Sequence, residues 1–441
     1  MVQTPFRLKG SEGMPRTNPV VELEEHLTDV LPSNNGSGPL WCYGSPTIVR
    51  NGEELFVSIP ETNPLLTRLC KTRWQLWRRQ TTGWEKVRLG DHFDEREPCP
   101  LVRLPGGRLM LSVNPLADRS LTKGGGQCVP GVLEVSVNEP FLPPKYHSPI
   151  WDKPYESFSE HSYRGIGVDY DQETVLLVNI DAHQGYAWSL LDRTGVWSHN
   201  GFFEFPIRAC YPQLGLRNGA AHVLAIGDIV ETSEAWRAHK QAVTGAAWDY
   251  DFRRLFYTWT PDICCAPFRE PLEIATYEAT AGHIRNSDMW IDSEGAVHLL
   301  FTTKNIWHDF MRDRFFPGTP IISTIEYRVF KDGKLICSHT LTSYVKDERD
   351  ATQSGILYPG AAFHATPTGE LRVVYTWGNN GLYLMQVHPW IGDSPAHIPL
   401  KRPIHHFCIP APRNGSETTS VIDLYGMSAG SIGLYYARVT A

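Results

Sequence analysis

Eight residues in one stretch of the chain have the types and the spacing for proton-transfer chemistry: His161, Tyr163, Arg164, His183, Arg208, Tyr211, Asp228 and Glu231. Imidazole exchanges protons near neutral pH, and a phenol serves as an acid or as an orienting donor. A guanidinium grips a carboxylate through two parallel hydrogen bonds. Asp228 with Glu231 also reads as a general acid/base pair of the kind that glycoside hydrolysis requires. Each has a plainer reading beside the chemical one. The histidines also read as surface or packed residues, and the acids as solvated loop charges with an arginine partner.

Spacing sharpens the choice. Glu160-His161-Ser162-Tyr163-Arg164 leads into the apolar run GIGVD, and the next run, TVLLV, ends in Asn-Ile-Asp181-Ala-His183. If the two runs form a hairpin, His161 and His183 return to the same end and face one cleft. The next pair of runs repeats the arrangement, with Arg208 and Tyr211 before PQLGL and with Asp228 and Glu231 after AHVLAI.

Hairpins are what the chain offers throughout. Tight polar turns at Asn51-Gly52, Pro105-Gly106-Gly107, Tyr170-Asp171, Asn218-Gly219, Ser293-Glu294-Gly295, Thr368-Gly369 and Asn414-Gly415 each follow an apolar run and precede another. Gly and Asn supply the positive φ of such turns cheaply, so the pattern predicts antiparallel pairs. A hairpin recurring about every 40–75 residues, with little helical patterning between, predicts an all-β fold, a single seven-bladed β-propeller. Residues 1–40 read as an N-terminal arm and 41–441 as the propeller domain. TSEAWRAHKQAVTG, with its Ser start, predicts a short helical insertion in blade four. KNIWHDFMRDRFFPG reads as a second short helix. The final run, GLYYARV, either closes blade seven or completes blade one.

In such a ring, residues just before each inner strand and just after each second strand gather at one mouth. By that rule Glu97, Trp41, Tyr43 and Asp288 join the substrate-binding candidates, the two aromatics as platforms for sugar rings. His405, His406 and Cys408 open the last blade, but no second half of a ligand set accompanies them, so neither metal nor cofactor is expected.

Composition narrows the partners. A net charge of −7 with interspersed signs argues against nucleic acid, and no apolar run is long enough to span a membrane. Nine cysteines without framework spacing, and a polar N-terminus without an apolar signal segment, predict reduced thiols and a cytoplasmic protein, or a secreted one if a leader has been trimmed.

The histidine placement around the third hairpin resembles that of BNR-type seven-bladed propellers, specifically the propeller-fold ulvan lyases and the related rhamnose–glucuronate lyases and rhamnosidases. The specific match covers the third and fourth hairpins; the blade pattern covers most of the chain. The resemblance implies an enzyme that cleaves an oligo- or polysaccharide rich in uronic acid, by β-elimination or by hydrolysis. It matches His161 and His183 to the paired histidines, and Tyr211 to the tyrosine of the following blade. It also implies an arginine on the uronate carboxylate. That family's arginine follows the second strand, where this chain has Gly227-Asp228, which leaves Arg208 or Arg164 to supply the charge. The Asp-box of sialidases does not fit, because Ser189, Asp192, Gly195 and Trp197 have the wrong spacing. A non-catalytic propeller that binds glycan or protein remains the reading from another class.

Overall fold

The computed structural model describes residues 18–41, 45–160, 163–181, 185–245, 250–346, 360–377, 381–392 and 394–441. Seven four-stranded antiparallel sheets make a propeller. Strand β1 (Val20–Asp29) comes first among the described residues. The first sheet is β2 (Ile48–Asn51), β3 (Glu54–Thr62), β4 (Thr72–Gln80) and β5 (Gly83–Leu89). The second is β6 (Leu101–Leu104), β7 (Arg108–Val113), β8 (Gly131–Ser136) and β9 (Lys145–His147). The third is β10 (Arg164–Asp169), β11 (Thr174–Ile180), β12 (Tyr186–Leu191) and β13 (Trp197–Phe203).

The next sheet holds β14 (Ala209–Arg217), β15 (Ala220–Val230), β16 (Tyr250–Thr260) and β17 (Leu272–Thr276). After it come β18 (His283–Ile291), β19 (Val297–Lys304), β20 (Ile322–Lys331) and β21 (Lys334–Val345). Then follow β22 (Ala361–Ala365), β23 (Leu371–Thr376), β24 (Leu382–His388) and β25 (Ala396–Ile398). The last sheet has β26 (His406–Cys408), β27 (Val421–Met427) and β28 (Gly433–Thr440), with β1 as its outer strand.

That outer strand corrects the expected arm. Val20–Asp29 pairs antiparallel with β28, from Val20 opposite Thr440 to Asp29 opposite Gly433. Its acidic run, VELEE, suits a strand with one free edge, where charge deters pairing with other chains. The open question about GLYYARV is answered by the same pairing: β28 is the third strand of the last sheet, and the ring closes through the N-terminal strand.

All seven turns read from the sequence join the first and second strands of their sheets. The first strands are apolar on both faces: β10 is buried at every position, and β14 at all but its last. Strands covered on both sides lose the alternation of half-exposed ones, which is why these read as continuous apolar runs. Helix α1 (Glu234–Thr244) joins β15 to β16, with the Ser233 side chain accepting a hydrogen bond from the Trp236 amide and Gly245 ending it at φ 70°. Helix α2 (Asp309–Phe315) joins β19 to β20, and Trp236 of α1 packs between its Phe315 and the following Phe316. Among the described residues, no helix is long and apolar enough to cross a membrane.

Candidate functional site

Tyr211 sits where the ladder between β14 and β15 breaks. Cys210 pairs with Ile226 and Gln213 with Leu224, so Tyr211 and Pro212 together stand opposite one residue. Such a bulge bends a strand and re-aims its side chains. Pro212 has no N–H to leave unbonded. Tyr211 takes φ 53°, the left-handed region, which is rare for an aromatic residue and is held at about 1–3 kcal/mol of strain.

The surroundings enforce that conformation. The buried Asn286 amide donates to the Tyr211 carbonyl at 2.7 Å. Gly165 on β10 leaves room for the displaced backbone, since a Cβ there would lie 2.5 Å from the Pro212 carbonyl oxygen. The outcome is a fixed phenol. Trp41 Nε1 donates to its hydroxyl at 2.9 Å, Tyr163 meets its ring edge-on at 4.8 Å between centroids, and Phe252 does so at 5.9 Å.

Charge lies beside it. The Arg208 guanidinium rests 5.1 Å from the Tyr163 ring centre. Its Nη1 is 3.2 Å from Asp228 Oδ2, with the arginine side chain 21% exposed and the aspartate 1%. The Cys210 thiol donates to the same oxygen at 3.3 Å. Burial holds the Asp228 carboxyl above the usual carboxylate range, opposed only in part by Arg208 and Cys210. Burial, with Cys210 and Glu97 nearby, drives the Tyr163 phenol far above its ordinary value, so it stays protonated. The cluster therefore sets a partly exposed cation and a fixed, buried phenol beside a sealed acid.

The sequence candidates divide accordingly. Trp41, Tyr163, Arg208, Tyr211 and Asp228 come together, and Glu97 lies close enough for its charge to bear on Tyr163. His161, His183 and Tyr43 lie outside the described residues. Arg164 is sealed: its guanidinium is 3.3 Å from Glu95 and donates to the Pro98 carbonyl. Burial pushes the Glu95 carboxyl up to about 7 against the pull of Arg164.

Glu231 is sealed as well. It belongs to a buried quartet in which Arg253 lies 2.6 Å from Glu231 and 2.8 Å from Asp251, while Lys240 lies 3.5 Å from Glu231. Burial alone would raise the Glu231 carboxyl; Arg253 and Lys240 reverse this and hold it low. Asp288 spends both oxygens on the ring itself, accepting from Arg413 Nε and the amides of Met289 and Phe363. Arg164, Glu231 and Asp288 thus brace the fold, because their charges are matched by protein groups.

Sequence reasoning passed over Gly165, Cys210, Phe252 and Asn286. Gly165 and Asn286 act through the bulge, and a bulge has no sequence signature beyond Pro212. Glu95, two residues before the chosen Glu97, is the acid that pairs with Arg164.

No protein family description matches the chain, so nothing supports the BNR repeat as such, and no curated protein matches it in sequence. Solved structures do match. An ulvan lyase of polysaccharide lyase family 25 is similar at 11% identity and TM-score 0.55, over 93% of this chain and 94% of that one; it was solved bound to a glucuronate–(1-4)–rhamnose-3-sulfate saccharide. A second structure of such an ulvan lyase gives TM-score 0.56 at the same identity and coverage. The α-L-arabinanase of Penicillium chrysogenum aligns at 11% identity over 96% of this chain and 98% of that one, with a TM-score of only 0.41. What this chain shares with the ulvan lyases is the seven-bladed propeller along nearly its whole length.

Proposed function

We infer that the protein is a carbohydrate-active enzyme that cleaves a uronic-acid-containing glycan by β-elimination. The observation that carries this reading is Tyr211, held in a left-handed bulge with its hydroxyl fixed by Trp41 and the Arg208 guanidinium close by across Tyr163. Strain of that kind persists where the surroundings over-determine it, and such places gather at reactive sites.

In this reading Arg208 pairs with the uronate carboxylate, which makes the neighbouring C5 proton easier to remove. His161 takes that proton, the C5–H electron pair forms the C4–C5 double bond, and the C4–O4 bond breaks. Tyr211 gives its proton to the departing O4, and His183 assists. Trp41 orients the phenol. Tyr163, protonated throughout, supports the guanidinium from below. Asp228 acts as a positioning residue that holds Arg208 through Nη1.

Hydrolysis is the second reading, and the same geometry weighs against it. Two carboxyls must flank the scissile bond. Asp228 is buried behind Arg208, and Glu231 is locked in its quartet. A fold shared with an ulvan lyase bound to a glucuronate saccharide is consistent with elimination.

The experiment is digestion of rhamnose–glucuronate glycans, followed by ultraviolet absorbance and by reducing-end assay in parallel. Elimination yields both signals, since the new double bond is conjugated to the carboxylate. Reducing ends without absorbance, together with a dead Asp228→Asn variant, would move the assignment to hydrolysis. Neither signal, with the glycan retained on the protein, would make this a binding propeller.

A further inference from the structure

Near the propeller axis lies a depression lined from the segment before β2 and from β18, β22 and β26. Asn286 joins it to the candidate site, because it lines the depression and also holds the Tyr211 carbonyl. Its apolar walls include Leu40, Phe407 and Ile409, and two cations, Arg285 and Arg413, line it as well.

Arg413 is unusual. The residue is only 6% exposed, and among the described residues its guanidinium makes one hydrogen bond, from Nε to Asp288 at 2.9 Å. Nη1 is buried with no partner among the described residues. A guanidinium carries five N–H donors, and buried donors in folded proteins are nearly always matched. Asp288 has little left to offer, since it also accepts from the amides of Met289 and Phe363. The second cation bears on the same space: burial and the charge of Arg285 together push the lining residue His406 down to about 4, so its imidazole is neutral.

We propose that this axial depression is an anion-binding site for a carboxylate or sulfate group, with Arg413 and Arg285 as its donors. The group arrives either as a substituent of a sugar or as a free inorganic anion. The site stands apart from the elimination reading: it binds its anion whether or not Tyr211 carries chemistry.

The test is calorimetric titration of the full chain with sodium sulfate and, separately, with glucuronate at constant ionic strength. One saturable site is expected for at least one of them. Arg285→Gln should weaken it about 10-fold or more, as for a lost charge-assisted hydrogen bond. The double variant Arg413→Gln/Asp288→Asn, which keeps a neutral hydrogen-bonding pair in place, should abolish it. Tighter binding of glucuronate than of sulfate identifies a sugar substituent, and the reverse identifies a free anion. No saturable binding of either overturns the proposal. So does an unchanged affinity in Arg285→Gln, which leaves the Arg413–Asp288 pair intact and so decides the matter even if the double variant fails to fold.

Discussion

One sheet, β14–β17 with its helical insertion, carries two clusters of charge built on opposite plans. In the first, Glu231, Asp251, Arg253 and Lys240 are all sealed, and each acid faces both cations or their hydrogen bonds. In the second, Arg208 reaches partly into solvent, Asp228 sits buried with its carboxyl raised, and the neighbouring Tyr211 backbone is strained. The two carboxyls shift in opposite directions for one reason. Glu231 meets more positive charge than burial takes away, whereas Asp228 meets less. Matched charge makes scaffold, whereas in the second cluster the burial of the acid outweighs the positive charge it meets, beside a strained backbone.

The contrast breaks most visibly through Arg253. Arg253→Leu leaves Glu231 and Asp251 facing Lys240 alone, and should destabilise the fold by about 3–5 kcal/mol, read as a shifted denaturation midpoint with an unchanged slope. If stability hardly moves, the quartet is not the brace described here. Next in size is Tyr211→Phe. It should lower turnover by about 100-fold, as for a lost acid–base group, while the loss of the Trp41 hydrogen bond costs only about 1 kcal/mol. Equal losses of activity and stability would make Tyr211 a packing residue like its neighbours.

Gly165→Ala tests the bulge itself. Its Cβ would meet the Pro212 carbonyl oxygen at 2.5 Å, so the backbone beneath Tyr211 must shift. Turnover should fall by up to about 100-fold through misplacement, with the melting temperature reduced by overpacking. Full activity would show that the phenol's position is not set from β10.

The smallest effect is a pH dependence that belongs to the scaffold. Burial pushes His222 and His364 down to about 4 from 6.5. The unfolded chain therefore binds more protons between those values, and stability is lost as pH falls from about 6.5 to about 4. Each group contributes about 1.4 kcal/mol per pH unit within that window. Glu95, raised to about 7, works the other way, favouring the folded state as pH falls through 7. Melting curves of His222→Phe should be flatter than wild type over the acid range; an identical profile would remove His222 from the account.

How much of this was legible depended on range. The inner hairpins were readable because a turn and its flanking runs are neighbours in sequence, and α1 because Ser233 and Gly245 mark its ends locally. Strand β1 was hidden, since VVELEEHLTD carries three glutamates and its partner lies at the far end of the chain. At the site, residue type and position before or after a strand picked out Tyr163, Arg208, Tyr211 and Asp228. They could not separate Arg208 from Arg164, because which arginine is sealed depends on Glu95 arriving from the preceding blade. The bulge was equally out of reach, resting on a glycine in one sheet and an asparagine in another.

The closure of the last sheet also sets an order of events during synthesis. Strand β1 leaves the ribosome before the other described strands, but Val20 pairs with Thr440 and Asp29 with Gly433, so it must wait for them. Until then an extended segment with unmet backbone groups is exposed, and its glutamates guard it against joining another chain. Once paired, Glu25 reaches Arg79 on the first sheet at 2.9 Å, and Glu24 accepts the amides of Lys401 and Arg402. Strand β1 thus becomes the last piece of the ring to lock, and a nascent chain stalled short of β28 holds an open arc with its latch still undone.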